Sequence, residues 1–295
     1  MKHTIARVVS LSFKNQPEDE IIRIAEREAE RKPDIIVLPE MWNGVQNIET
    51  PESGATARLR GTAKKHGVYI LNSAFRKTGG AARLNSCILI GRDGEIAGVY
   101  DKNYPYWGEL LDFEPPTVPG TDAPVFETDF GKVGMAICFD ANFPRVWERL
   151  ADNGARIVFW TSAYSGGSSL QAHAVNNNYY IVSSTLQSDC SVIDITGKEI
   201  YYQKTDGGGV NISRIDIDMD RAIFHENFNM PQKLERLLSE HSEITVEMRM
   251  EREEWFVLRS KSPDASVCEL AARYGMEQLG DYKRRSRREI DAKRG

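Results

Sequence analysis

Three side chains able to do acid–base, electrostatic and nucleophilic chemistry stand just past apolar runs in this 295-residue chain. Glu40 closes DIIVLPE, Lys102 closes EIAGVYDK and Cys138 closes GKVGMAIC. The C-terminal ends of buried strands are where α/β sheets keep their ligand crevices. Taken singly, each residue has an ordinary explanation: a capping glutamate, a solvated lysine, a small core thiol. Taken together, they have complementary roles. A thiol has a pKa of about 8.5 and is mostly protonated near neutrality, so it needs activation. A carboxylate held beside it in a dry site can act as general base. A lysine ammonium can stabilise the oxyanion that forms when sulfur attacks a carbonyl, and the backbone N–H of Phe139 is a second donor. An acyl thioester would result, which water then hydrolyses. No histidine is required. A Cys–His pair with His173 or His225 is the alternative, but His173 lies in the helical stretch LQAHAVNNN and reads as a helix-surface or core residue. A reactive Cys138 with a depressed pKa is expected to alkylate faster than Cys87, Cys190 and Cys268.

Strands and helices alternate around these residues. TIARVVSLSF is rich in β-branched residues and reads as a strand. QPEDEIIRIAEREAERK carries Pro17 and early acids, with Ile21, Ile22, Ile24, Ala25 and Ala29 at helical spacing. DIIVLPE is a short strand of the kind buried on both faces. A helix over 51–66 ends at Gly67. Strands VYILNSAF and SCILIGRDGEIAGVYDK follow, with an Asp93-Gly94 turn. GKVGMAICFD is a strand, FPRVWERLADNG a helix and ARIVFWTSAYS a strand. YYIVSSTL, a hairpin around Thr196-Gly197, and GVNISRIDIDMD complete the pattern. It fades near residue 222, and the charge-rich segments beyond, QKLERLLSEHSEITVEMRMEREEWF and SVCELAARYGMEQL, read as helical. The expected organisation is a layered α/β domain over 1–222 and a helical extension over 223–295, packing on the core or in an oligomer interface.

Composition narrows the class of protein. Hydrophobic residues make up 41% and charged residues 27%, a soluble globular balance. No apolar run approaches the roughly 18 residues of a membrane span, and the N-terminus reads as a first strand rather than a signal peptide. A cytoplasmic location is expected. Four scattered cysteines without a C-x-x-C pair, and five histidines without ligand spacing, predict neither disulfides nor a metal site. No cofactor is expected. The segment from Lys283 to Gly295 holds seven Lys/Arg and two Asp/Glu, or +5, against −10 for the remainder of a chain of net charge −5. So acidic a body would repel phosphates, and no nucleic acid or membrane partner is expected.

LPEMW, VYDKNYPYWGE and VGMAICFDANFP, in this order, resemble the glutamate, lysine and cysteine segments of the carbon–nitrogen hydrolase, or nitrilase, superfamily. The gaps of 62 and 36 residues also match, and the resemblance runs from about residue 4 to 222. It implies a four-layer α-β-β-α sandwich that assembles as a homodimer or larger homo-oligomer. It also implies Glu40 as base, Lys102 as oxyanion stabiliser and Cys138 as nucleophile. A second glutamate orienting Lys102 is implied before a Pro-Gly, where Glu114 in EPPTVPG is the best match and Glu109 the second. Cys138-Phe139-Asp140 departs from the Cys-Trp-Glu of nitrilases, which favours a small-molecule amide or carbamoyl-amide substrate over a nitrile. Arg145 stands where the family commonly has glutamate, and is either a substrate-carboxylate contact or a structural replacement. Asn176 also replaces a family glutamate. Tyr106, Trp107, Trp160 and Tyr164 are candidate walls of the acyl site.

Overall fold

The computed structural model describes residues 3–294. In chain order its elements are β1 (Ile5–Ser12), α1 (Glu18–Ala29), β2 (Ile35–Val37), β3 (Ile48–Glu49), α2 (Gly54–His66), β4 (Tyr69–Lys77), β5 (Arg83–Ile90) and β6 (Ile96–Asp101). Next come α3 (Trp107–Leu111), β7 (Phe126–Thr128), β8 (Gly131–Ile137), a 3-10 turn (Cys138–Asn142), α4 (Pro144–Asp152), β9 (Ile157–Ser162) and α5 (Ser168–Asn177). Then β10 (Tyr180–Thr185), β11 (Asp189–Ile193), β12 (Glu199–Lys204) and β13 (Asn211–Asp218) follow.

Two mixed sheets make the middle layers. One has the order β13-β1-β2-β4-β5-β6 with β3 beside β4, the other the order β12-β11-β10-β9-β8-β7. In each, three central strands run parallel, β1, β2 and β4 in the first and β8, β9 and β10 in the second, while β5, β6, β7, β11 and β12 join antiparallel. The sheets meet through buried polar contacts. Ser10 Oγ donates to the Ser183 carbonyl at 2.8 Å, and Cys87 Sγ lies 3.3 Å from Thr161 Oγ1. Helices cover the outer faces. Ile21, Ile22 and Ala25 of α1 join Ala55, Leu59 and Ala63 of α2 in one apolar cluster with Ile36 and Ile70 of the sheet. On the second sheet α4 buries Val146, Trp147, Leu150 and Ala151. Close approach of α4 needs Gly134 on β8, where a Cβ would sit 3.1 Å from Leu150 and 3.3 Å from Ala155. The four-layer α-β-β-α architecture is therefore as expected.

Local signals place most boundaries. Acidic Glu18, Asp19 and Glu20 occupy the first turn of α1, complementing its dipole. Helix α2 stops at Gly67, whose φ of +67° suits the left-handed cap.

The chain divides after Asp216: residues 7–216 form one unit, and residues 217–294, with those before Arg7, form a second. The division expected from the sequence lies at 222/223. The second unit has the expected helices, and the segment read as helical over EITVEMRMEREEWF holds strands instead. It contains β14 (Ala222–His225), α6 (Met230–Glu240), β15 (Ile244–Met250), β16 (Trp255–Ser260), α7 (Val267–Arg273) and α8 (Leu279–Arg294). The strands form an antiparallel sheet in the order β14-β16-β15. ITVEMRM alternates with period two, and its charged side chains stand on the more exposed face. Counted only for charge and helix propensity, it looked helical. Phe224, Leu234, Phe256, Leu258, Val267 and Leu270 build this unit's own core. Among the described residues no helix is long and apolar enough to cross a membrane.

Candidate active site

The ends of β2, β6 and β8 converge. Glu40 and Lys102 are buried and 2.8 Å apart, Lys102 Nζ donating to Glu40 Oε1. Asn85 Nδ2 of β5 also donates to Glu40 Oε1 at 2.8 Å, and the Ala163 N–H, just past β9, donates to Oε2 at 2.9 Å. Four elements thus hold one carboxylate, and hydrogen bonds to an ionised acceptor are the strong kind.

The second acid is Glu109, not Glu114. Glu109 is buried on α3, and Lys102 Nζ donates to its Oε1. Asn85 Nδ2 donates to Oε2 at 2.8 Å, and the Tyr106 N–H donates to Oε1 at 3.0 Å, so Glu109 also caps its own helix. Glu114 is exposed in the loop after α3. Counting back from the Pro-Gly favoured it, but the short helix α3 turns Glu109 inward and leaves Glu114 outside.

Cys138 opens the 3-10 turn at the end of β8, with φ +46°. A non-glycine residue in the left-handed region costs about 1–3 kcal/mol, and such geometry is held only where the surroundings over-determine it. Here the Cys138 carbonyl accepts from Trp160 Nε1 at 3.1 Å and from the Tyr164 hydroxyl at 3.4 Å. Trp160 is fully buried, so it backs the thiol turn instead of lining an open acyl site. Tyr164 is partly exposed beside it, and burial pushes its hydroxyl up to about 12, keeping it a neutral donor.

Electrostatics set the resting protonation. Burial, followed by the negative charge of Glu40, pushes the Cys138 thiol well above its ordinary range, and Lys102 only partly opposes this. Burial alone would lower Lys102, but the charges of Glu40 and Glu109 outweigh it and hold the ammonium charged. The expected depressed thiol is therefore corrected: sulfur rests protonated and must lose its proton as it attacks. Cys138 is 9% exposed, whereas Cys87 and Cys190 are 0% exposed. Iodoacetamide is expected to label Cys138 ahead of those two, with a rate that keeps climbing above pH 8.5 because little thiolate exists below. Peptide mass spectrometry across pH 6–10 checks both. A rate that saturates near pH 7 would contradict the raised thiol.

Aromatic rings rim the turn. Phe139 packs edge-on against Tyr106 at 5.8 Å and Phe143 at 5.4 Å, and Phe143 stacks on Tyr104 at 3.8 Å. Tyr106 and Trp107 are 55% and 67% exposed. Arg145 is exposed near the start of α4, and among the described residues nothing joins it to Cys138. His173 Nε2 donates to the Ala141 carbonyl, 2.8 Å away, and the ring stacks on Trp147. That contact satisfies it as a core residue, so the Cys–His alternative gains no support.

Two residues escaped the reading of the sequence. Asn85, a lone amide among the apolar residues of β5, bridges both carboxylates; its polarity on a buried strand was the available signal. Asp140, two residues past the nucleophile, is fully buried, and its neighbours are described below.

The sandwich and this Glu-Lys-Cys arrangement define a class. The sequence pattern of the carbon-nitrogen hydrolase family matches residues 18–223, and the chain belongs to that family. It is similar to a probable nitrilase of Schizosaccharomyces pombe, 32% identical over 176 residues, and to an omega-amidase of Danio rerio, 26% identical over 176 residues. Each alignment covers 52% of this chain and 63% of the relative, so the chain spans less than two thirds of their length. An N-carbamoylputrescine amidase of Arabidopsis thaliana is 36% identical over 111 residues, 36% of either chain. Among solved structures, an amidase from Nesterenkonia sp. has the same fold, with TM-score 0.64 and 21% identity over 74% of this chain and 92% of that one.

Proposed function

We propose that this protein hydrolyses the C–N bond of small-molecule amides through an acyl thioester on Cys138. The observation that carries the reading is the buried cluster in which Glu40 and Lys102, the latter also held by Glu109, face a thiol presented on a strained turn. Glu40 takes the Sγ proton as sulfur bonds to the amide carbon. The carbonyl oxygen gains negative charge, which Lys102 Nζ and the Phe139 N–H receive. Lys102 has three N–H donors, and the two carboxylates occupy two of them, leaving one for the oxyanion. Glu40 returns the proton to the departing nitrogen as the C–N bond breaks. Water then attacks the thioester, Glu40 accepts its proton, and the acid leaves as the thiol is restored. Glu109 holds Lys102 in place and keeps it charged throughout.

A carbamoyl-amide substrate would use the same steps, and the similarity to the Arabidopsis carbamoyl amidase favours it as the second reading. An ammonia-release screen over amides, carbamoyl amino acids and nitriles tests both, with Cys138→Ala as control. Intact mass of a slow Glu40→Gln variant should trap the acyl adduct and weigh the substrate's acid half. No release from any of the three classes would overturn the proposal. A cytoplasmic, homo-oligomeric protein belongs to the same reading, and size-exclusion chromatography with light scattering checks the assembly.

The aromatic rim makes a separate expectation about the substrate's tail. Tyr106→Ala removes a ring packed on Phe139 but keeps the backbone N–H that caps Glu109. KM for amides with a bulky apolar acyl group should rise about tenfold, the scale of one apolar contact, while kcat for the smallest amide stays within about threefold. Steady-state kinetics on two amides checks this.

A further inference from the structure

Asp140 moves no proton in the proposed reaction, yet it touches both of the segments that do the work. Its Oδ2 accepts from the Tyr100 hydroxyl at 2.6 Å and from the N–H of Ile137, the residue before the nucleophile, at 2.9 Å. Its Oδ1 accepts from the Tyr104 N–H at 2.9 Å, and its carbonyl accepts from Trp147 Nε1 of α4 at 2.9 Å. Tyr100 and Tyr104 bracket Lys102 in the chain. One fully buried carboxylate therefore grips the turn that carries the thiol and both sides of the ammonium. Bonds to a charged acceptor are short and directional, which suits a brace.

We propose that Asp140 is a positioning residue that sets the separation between Cys138 Sγ and Lys102 Nζ, so that the oxyanion raised by one is met by the other. This rests on the reading that both act on one carbonyl. All three carboxylate bonds point to donors on the brace, and none reaches the thiol, so proton transfer is not its role. Glu40, Lys102 and Glu109 are tied to one another directly and through Asn85. Asp140 adds a link of a different kind, from the end of β8 to the residues around Lys102.

The titratable groups around it are few. Tyr100, at the end of β6, and Lys102 beside it face Asp140, and Cys87 on β5 lies behind Tyr100. Burial drives the Tyr100 hydroxyl far above its ordinary range and pushes Cys87 up to about 12, so both stay neutral and only donate. Lys102 stays charged. Burial also pushes Asp140 up to about 6, ahead of the opposing hydrogen bonds. Of this group, Asp140 alone changes protonation between pH 5 and 7. Once protonated, one of its oxygens carries a hydrogen that faces a donor, as the amide group of asparagine would.

The test uses Asp140→Asn and Tyr100→Phe in the full chain. For Asp140→Asn, kcat should fall about 10²-fold with KM within about threefold, the scale of an ångström-size misplacement. The ratio of wild-type to variant rate should shrink as pH falls through 6, because the protonated wild type comes to resemble the variant. Tyr100→Phe keeps the ring and removes one bond, and should lose about tenfold; added to Asp140→Asn it should cost little more, as partners in one network do. Should Asp140→Asn not fold, Tyr100→Phe carries the test. A readout free of substrate is the pH dependence of Cys138 alkylation. Both variants should label more slowly at a given pH, because Lys102 no longer stabilises the thiolate as well. Unchanged labelling in the folded variants overturns the proposal, as does a rate ratio flat from pH 5 to 8. A silent amide screen with the labelling change present overturns the amidase reading and leaves the brace standing.

Discussion

Replacing Cys138 with alanine is expected to abolish ammonia release while leaving the fold in place. The sulfur is the only atom removed. The carbonyl of residue 138 keeps its bonds from Trp160 and Tyr164, and the neighbouring Asp140 keeps the turn. Stability should change little, because the side chain is small and its thiol rests neutral beside a carboxylate. The rate should fall by at least about 10⁴-fold, as happens when the nucleophile is taken from a set that acts as a unit. Ammonia assay and thermal melting on the same preparation measure the two effects. Activity retained above that floor would remove Cys138 from the mechanism, and a collapse of the melting transition would make it a packing residue instead.

Lys102→Met has the second-largest expected effect, on rate and on stability together. Two buried carboxylates share this ammonium, Glu40 at 2.8 Å and Glu109 on its other side. Removing it takes away an oxyanion donor, worth about 10²–10³ in kcat. It also leaves two like charges facing each other out of water. Breaking a buried ion pair by deleting one partner costs about 3–5 kcal/mol. Urea unfolding at pH 7.5, compared with the wild type, should show that deficit. A variant that is slow but of wild-type stability would mean that Asn85 and the backbone donors already satisfy both acids without the lysine.

The site was legible in the sequence to the extent that strand ends are legible. DIIVLP, EIAGVYD and KVGMAI are apolar runs that stop at a chemically useful residue, and a parallel sheet gathers such ends on one side. Glu40, Lys102 and Cys138 could be picked by that rule alone. The choice between Glu109 and Glu114 could not, because five residues of spacing say nothing about which carboxylate a five-residue helix turns inward. Trp160 was legible as a neighbour of the thiol but not as a buried support, since the rule that strand ends face a crevice does not say which side of the strand is open. Arg145 was singled out by comparison with a pattern, and it stands exposed near the start of α4. Beyond residue 222 the reading counted charges, and the strand ITVEMRM was lost because a half-exposed strand can carry charge on alternate residues, here Glu247 and Arg249.

What the sequence by itself determined was the type and order of three chemically able side chains: a carboxylate, an ammonium and a thiol, each just past a strand of an α/β chain. Local apolar runs and turn residues specify those positions without help from distant contacts. Only the tertiary structure decided which groups hold them. Asn85 bridging two acids, Asp140 joining the thiol turn to the lysine segment, and a thiol pushed up instead of down all depend on which side chains meet in the dry space between two sheets. Burial and distance are properties of the folded chain, and the local sequence around each residue does not contain them.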